Sequence, residues 1–351
     1  TWGGNGLSAL PALTVGDVID AHSYGASGQL EKNPLTSDGL IDWLAAAQVV
    51  GKPLTVSEWN AEPFPLPDRH SLPLYIAGTA SHQGWDAMLQ YAYSQQAFNP
   101  GWRTADNWHA YNDPALLATM PAAALMYRRG DVQPASTRYV FAPSPETLYN
   151  QDITPRTSAL LRTAVGLGQL QIALPVTPQL PWLKPAAIAD GATVLHDPAQ
   201  ALLPADATES VSDTGELKRN WQSGLYTIDT PLTQAATGWL GGRTITLGDV
   251  QVQASTPYAS IAVQSLDGVV LGQSRSLLVS LGTRAVPQPE ENTRFHVEPL
   301  KAQLSIKAPA GLKLFARDAQ AQLKPLPASY RDGRYHITLD GTYMSNWMFL
   351  K

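Results

Sequence analysis

Cysteine is missing altogether, which rules out disulfides and thiolate metal sites. Charge is sparse as well: Asp, Glu, Lys and Arg make up 15% of the 351 residues, and the net charge is -5. No cluster of Lys and Arg supplies the field that nucleic acid requires, so no nucleic-acid partner is expected. Apolar runs are too short to cross a bilayer, and no membrane partner is expected. The chain opens on "TWGGNG", with neither a Met nor a charged-then-apolar export signal, and reads as a processed or truncated polypeptide. The motifs of several other chemistries are absent. There is no G-x-S-x-G elbow, no G-x-x-x-x-G-K-[ST] loop, no strand-anchored G-x-G-x-x-G and no EF-type calcium loop. His70, His82 and His109 lack ligand-like spacing, so neither a metal nor a cofactor is expected.

What is present is a chain large enough for two domains, 44% hydrophobic, with ten Trp and thirteen Tyr whose flat faces suit sugar rings as well as cores. From 15 to 130, strand-like and helix-like runs alternate. "VGDVIDAH" (15–22), "PLTVSEW" (53–59) and "DAMLQYAY" (86–93) read as strands. Residues 37–51, 71–84 and 113–130 read as helices, each closed by a glycine, with Ser37 or Asp38 and then Asp113 as caps. Such strand–helix units imply parallel strands with right-handed crossovers. Residues 136–205 are rich in proline and read as a connector containing one helix, 157–168. From 206 to 351, short β-like runs spaced about ten residues apart suggest an antiparallel β-sandwich. The expected fold class is therefore α/β plus all-β, with domains at 1–135 and 206–351 joined by the connector.

Polar residues gather at the ends of the strands: His22, Ser23 and Tyr24; Glu58, Trp59 and Asn60; Ser94, Gln95 and Gln96. Ligands bind at the carboxyl ends of parallel strands. His22 and Tyr24, two residues apart, point the same way on an extended strand, where the Tyr hydroxyl can hold an ionised Glu58. A rigid carboxylate beneath a sugar ring is what nucleophilic displacement at the anomeric carbon requires, with a second carboxyl about 5–5.5 Å away to protonate the leaving oxygen. Trp59, Tyr91 and Tyr93 offer a sugar platform, and Trp2, Trp102 and Trp108 either line a cleft or pack. An acid after a strand serves equally well as a helix cap or a solvated loop charge.

"DAHSYG" followed some 35 residues later by "VSEWN" resembles the closing portion of a clan A glycoside hydrolase barrel, broadly similar to families 5 and 39. The resemblance covers roughly residues 1–130. It implies a partial (β/α)8 barrel of TIM type, containing its last strands only, followed by an appended sandwich. His22 and Tyr24 match the family's His-x-Tyr pair on the sixth strand. Ser57, Glu58 and Trp59 match the segment that ends the seventh strand with the nucleophile. "TWGGN" stands at the end of the fifth strand. Where the eighth strand usually presents a Trp, this chain has "YAYSQQ", so Tyr93 or Gln95 takes that place. The family's acid/base lies in an Asn-Glu pair, and the sequence contains none. The resemblance thus implies a retaining glycosidase with catalytic Glu58, Tyr24 and His22 and substrate-binding Trp59, Asn60, Tyr93, Gln95 and Trp2. Its acid would come from a partner, a second copy, or an unusual residue such as Glu62. A half-barrel exposes two sheet edges, so a homo-oligomer or a second polypeptide is expected to complete it. A carbohydrate substrate places the protein outside the cytoplasm, secreted or periplasmic. The alternatives are a non-catalytic carbohydrate-binding remnant and an esterase-type hydrolase.

Overall fold

Ile19–Gly25 alternates buried and half-buried residues along its whole length, which makes it a one-sided strand, β1. It pairs in parallel with β2 (Leu54–Ala61), and β2 pairs in parallel with β3 (Ala87–Gln90). On the other side of β1, Trp2 forms a parallel bridge to Ala21, with its amide donating to Asp20 O and its carbonyl accepting from the His22 amide. The computed structural model describes residues 1–95, 106–288, 291–318, 320–342 and 345–351; Gln96 and Trp102 fall outside them. The chain divides into two compact units. The first takes Thr1–Glu62, Thr79–Ala92 and Gln133–Gln222; the second takes Pro63–Gly78, Tyr93–Val132 and Ser223–Lys351.

In the first unit, Ile19 and Ala21 of β1 and Leu54 and Val56 of β2 form one buried face, covered by Leu40, Ile41 and Leu44. The helix carrying those leucines is shorter than the 37–51 expected, running only Leu40–Ala45. Gly39 caps it, its amide donating to Asp42 Oδ2 at 2.7 Å, and the chain turns out of the helix well before Gly51. β1 extends past His22 to Gly25, so His22, Ser23 and Tyr24 lie within the strand rather than after it. Residues 136–205 are more than a connector. Arg138–Phe141 pairs in parallel with both Gln169–Ile172 and Thr193–Leu195. Strands of three or four residues are too short to show a period, and the surrounding prolines hid them. No closed barrel is present among the described residues.

The second unit holds a large antiparallel sheet. Its strands run in the order Leu323–Leu326, Leu314–Arg317, Trp347–Leu350, Leu277–Thr283, Tyr258–Ser265, Thr233–Trp239 and Leu225–Asp229. A second antiparallel sheet runs Thr244–Thr246, Val250–Ala254, Lys301–Lys307, Arg334–Asp340 and Ser329–Arg331. One apolar cluster joins them, with Ala236, Ile261 and Val279 from the first sheet and Val252, Ile306 and Ile337 from the second. The helix Pro114–Arg129 is capped as expected, by Asp113 at its start and by Gly130 at φ 66°. Its alanine-rich face packs on Leu277–Thr283. A Cβ at Gly282 would stand 3.2 Å from both Thr119 Cγ2 and His70 Cβ, so any larger residue there would push both back by a few tenths of an ångström.

His70 in this unit is fully buried; Nδ1 is 2.7 Å from Ser260 Oγ, and Nε2 has no hydrogen-bond partner among the described residues. Burial lowers its pKa to about 4. The unfolded chain takes up this proton near pH 6.5, the folded one only near pH 4. The stability it contributes is therefore complete above pH 6.5 and drains away as pH falls toward 4, by about 3 kcal/mol in total. Urea unfolding of wild type and His70→Gln should show wild type losing that much more between pH 7 and pH 4. Parallel pH profiles for the two proteins would disprove it.

Candidate active site

The extended period of two puts Asp20, His22 and Tyr24 on the face of β1 opposite Ile19 and Ala21. On β2 the same alternation, if unbroken, would place Glu58 on the core side with Leu54 and Val56. It is broken. Val56 pairs with Ala21 but Glu58 pairs with His22, and on the other edge Val56 pairs with Met88 but Trp59 with Gln90. Ser57 is the extra residue of a β-bulge against β1, Ser57 and Glu58 together stand against one residue of β3, and the bulge rotates Glu58 onto the polar face.

There Tyr24 donates its hydroxyl proton to Glu58 Oε2 at 2.5 Å, and His22 Nδ1 stands 3.3 Å from the same oxygen. Glu58 Oε1 carries no hydrogen bond among the described residues, and the side chain is 27% exposed. Burial first, then the hydrogen bond to Glu58 and the charges of Glu58, Tyr91 and Glu62, push the Tyr24 hydroxyl well above its ordinary pKa. It therefore stays a donor at any working pH. On the far side of the imidazole, Nε2 is 2.8 Å from Ser57 Oγ and 3.2 Å from Asp20 Oδ2. Asp20 accepts from Ser57 Oγ at 2.7 Å, Thr55 Oγ1 at 2.9 Å, the Ser57 amide at 3.1 Å and Thr1 Oγ1 at 3.2 Å. Burial works against its charge, but those hydrogen bonds outweigh it and hold the carboxyl below the usual range.

The structure thus brings together Glu58, Tyr24 and His22, and adds Asp20 and Ser57. The other expected residues are placed differently. Trp2 is fully buried against Trp43, with ring centroids 5.7 Å apart. Trp59 is buried at 4% exposure, and Asn60 is wholly buried, its amide donating to Tyr91 O at 2.7 Å and its Oδ1 accepting from the Ala61 amide. As they stand, these three offer no stacking face to a ligand. Tyr93 and Gln95 are exposed and belong to the second unit, where the Tyr93 ring lies 6.4 Å from that of Tyr111. Glu62 is half-buried, its amide bonded to Gly25 O at 2.9 Å. It lies just past the end of β2, and its charge acts on the same Tyr24 hydroxyl that meets Glu58.

No group of three or more His, Asp or Glu able to hold a metal ion occurs among the described residues, and no helix among them is long and apolar enough to cross a membrane. No protein-family model matches the chain, and neither curated proteins nor solved structures gave a match.

Proposed function

We propose that this chain carries the nucleophile side of a retaining glycoside hydrolase acting on a poly- or oligosaccharide. The observation behind this reading is the one-sided solvation of Glu58: both neighbouring groups meet Oε2, and Oε1 is left open. A carboxylate held in that way is fixed in direction and keeps a free lone pair for the anomeric carbon. Attack by Oε1 would give a covalent glycosyl-enzyme, which water then releases. The acid/base comes from a second polypeptide, from another copy of the chain, or from an unusual residue. Strand order supports the barrel part of the reading: the Trp2 bridge, β1, β2 and β3 are parallel neighbours in chain order. Barrels are wound that way, whereas doubly wound sheets reverse at a switch point. The paired antiparallel sheets of the second unit suit an appended sandwich, and a polymeric substrate suits a secreted or periplasmic protein.

One contact favours the esterase alternative. Ser57 Oγ, His22 and Glu58 stand in the order of a serine-hydrolase triad, hydroxyl to Nε2 and carboxylate to Nδ1. Against it, the Ser57 hydroxyl already donates to Asp20. The non-catalytic alternative draws little support from three buried binding candidates.

The test is covalent capture with a panel of 2-deoxy-2-fluoro glycosides bearing leaving groups that need no acid. The expected result is one sugar per chain, on the peptide containing Glu58. Capture of Ser57 by a phosphonate ester, with no glycoside labelling Glu58, would replace this reading with the esterase.

A further inference from the structure

Beside Glu58 lies a second carboxylate that the chemistry above does not use. We propose that Asp20 is a positioning residue, which through Ser57 and His22 Nε2 sets the proton that His22 presents to Glu58; this rests on Glu58 being the nucleophile.

The argument follows the protons. An ionised carboxylate only accepts, and Asp20 is surrounded by donors: Ser57 Oγ and Thr1 Oγ1 on Oδ2, Thr55 Oγ1 and the Ser57 amide on Oδ1. Ser57 has one hydroxyl hydrogen, and it goes to Asp20 at 2.7 Å. Toward His22, then, the Ser57 oxygen is an acceptor. Nε2, 2.8 Å from that oxygen and 3.2 Å from Asp20 Oδ2, meets acceptors only and carries a hydrogen. The ring is thereby fixed in orientation, with Nδ1 facing Glu58 Oε2 at 3.3 Å. That contact is an ion pair rather than a hydrogen bond: by keeping a hydrogen on Nε2, Asp20 lets the ring meet Oε2 as a cation.

Asp20 acts on the backbone as well. Ser57 is the bulged residue, whose amide a regular ladder leaves unpaired, and Asp20 Oδ1 takes it at 3.1 Å. The same carboxylate therefore holds the bulge that turns Glu58 outward and orders the protons that meet it. The titratable groups facing His22 and Glu58 in this network are Asp20 and Tyr24, with Tyr91 and Glu62 acting on Tyr24.

Asp20→Asn separates the two roles. The amide oxygen still accepts from the Ser57 amide, so the bulge is kept. The NH2 now donates toward Ser57 Oγ, so the Ser57 hydrogen turns to Nε2 and strips it of its proton. Nitrogen-15 spectra of the full chain should show Nε2 of His22 protonated in wild type and unprotonated in Asp20→Asn. Labelling of Glu58 by the activated fluoro-glycoside should slow about tenfold, the worth of one lost charge beside the nucleophile. Ser57→Ala, which leaves the Asp20 charge beside Nε2, should keep the Nε2 proton. An unprotonated Nε2 in wild type overturns the proposal even where the variant does not fold, and so does a variant with unchanged spectrum and labelling rate. Failure of wild type to label at Glu58 defeats the nucleophile reading instead, and the ring spectrum still decides the role of Asp20.

Discussion

Glu58→Gln is expected to lower turnover of an aryl glycoside by on the order of 10⁴-fold or more, the scale on which removing a nucleophile acts. The amide has the size of the acid, can still accept the Tyr24 hydroxyl, and replaces a side chain that is 27% exposed. Folding should therefore change by less than about 1 kcal/mol, and the loss is chemical. Glu58→Ala sharpens the expectation, because it opens the space that Oε1 occupies. A small anion such as azide entering there should restore turnover of a substrate with a good leaving group. It should yield the glycosyl azide of inverted configuration, since the anion attacks once where the enzyme and water would attack in succession. Full activity in Glu58→Gln ends the assignment, and rescue that returns the retained anomer places the nucleophile elsewhere.

Much of this site was legible because strands have a fixed period. The i, i+2 relation of His22 and Tyr24 is enough to put both on one face, and it extends to Asp20 at i−2, which lies one step before the polar strand end. An acid two places before a histidine on a strand is a signal that can be read by the same rule. The bulge was not legible: nothing in "TVSEW" announces that Ser57 is the extra residue, because the shift depends on how β2 pairs with strands far away in the chain. Parity alone would have sent Glu58 toward the core. The same shift turns Trp59 to the buried side, while Asn60, two places after Glu58, is buried as well, bonded to Tyr91 O and the Ala61 amide.

Among the larger elements, those with strong local signals came through. The helix Pro114–Arg129 has its cap, proline and terminal glycine where expected, while the helix at 37–51 stops at Ala45. Its apolar spacing continued past that point, but Ala46–Val50 turns instead toward Gln169–Ile172, with the Val50 amide donating to Ile172 O and the Ile172 amide to Gln48 O. A tertiary contact overrode a local period, which no reading of residues 37–51 alone can show.

Arg162 is the residue whose replacement is expected to cost the most stability. The side chain is 7% exposed, and its guanidinium spans two turns. Nε donates to Pro34 O at 2.8 Å, Nη2 to Leu35 O at 3.2 Å, and Nη1 to Pro155 O at 2.7 Å and Arg156 O at 3.0 Å. A planar fork with fixed donors can serve four carbonyls at once; the point charge of a lysine cannot. Arg162→Met keeps the apolar stem and strands those carbonyls, at an expected cost of about 3–5 kcal/mol. A pH dependence should accompany the loss. Burial raises the Asp42 pKa to about 7, while the charge of Arg219, the Gly39 amide and the charge of Arg162 pull it down. In the unfolded chain this acid ionises near pH 4, so its burial costs stability increasingly as pH rises from there through 7. Without Arg162 the folded pKa moves higher still, and the cost keeps growing above pH 7. Urea unfolding at pH 6 and pH 8.5 should therefore show the Arg162→Met deficit widening at the higher pH, and Arg162→Lys, which keeps the charge but not the fork, should show a smaller deficit that widens less. A deficit under about 1 kcal/mol would mean that the four carbonyls do not depend on this guanidinium, and a deficit equal at both pH values would mean that Asp42 does not.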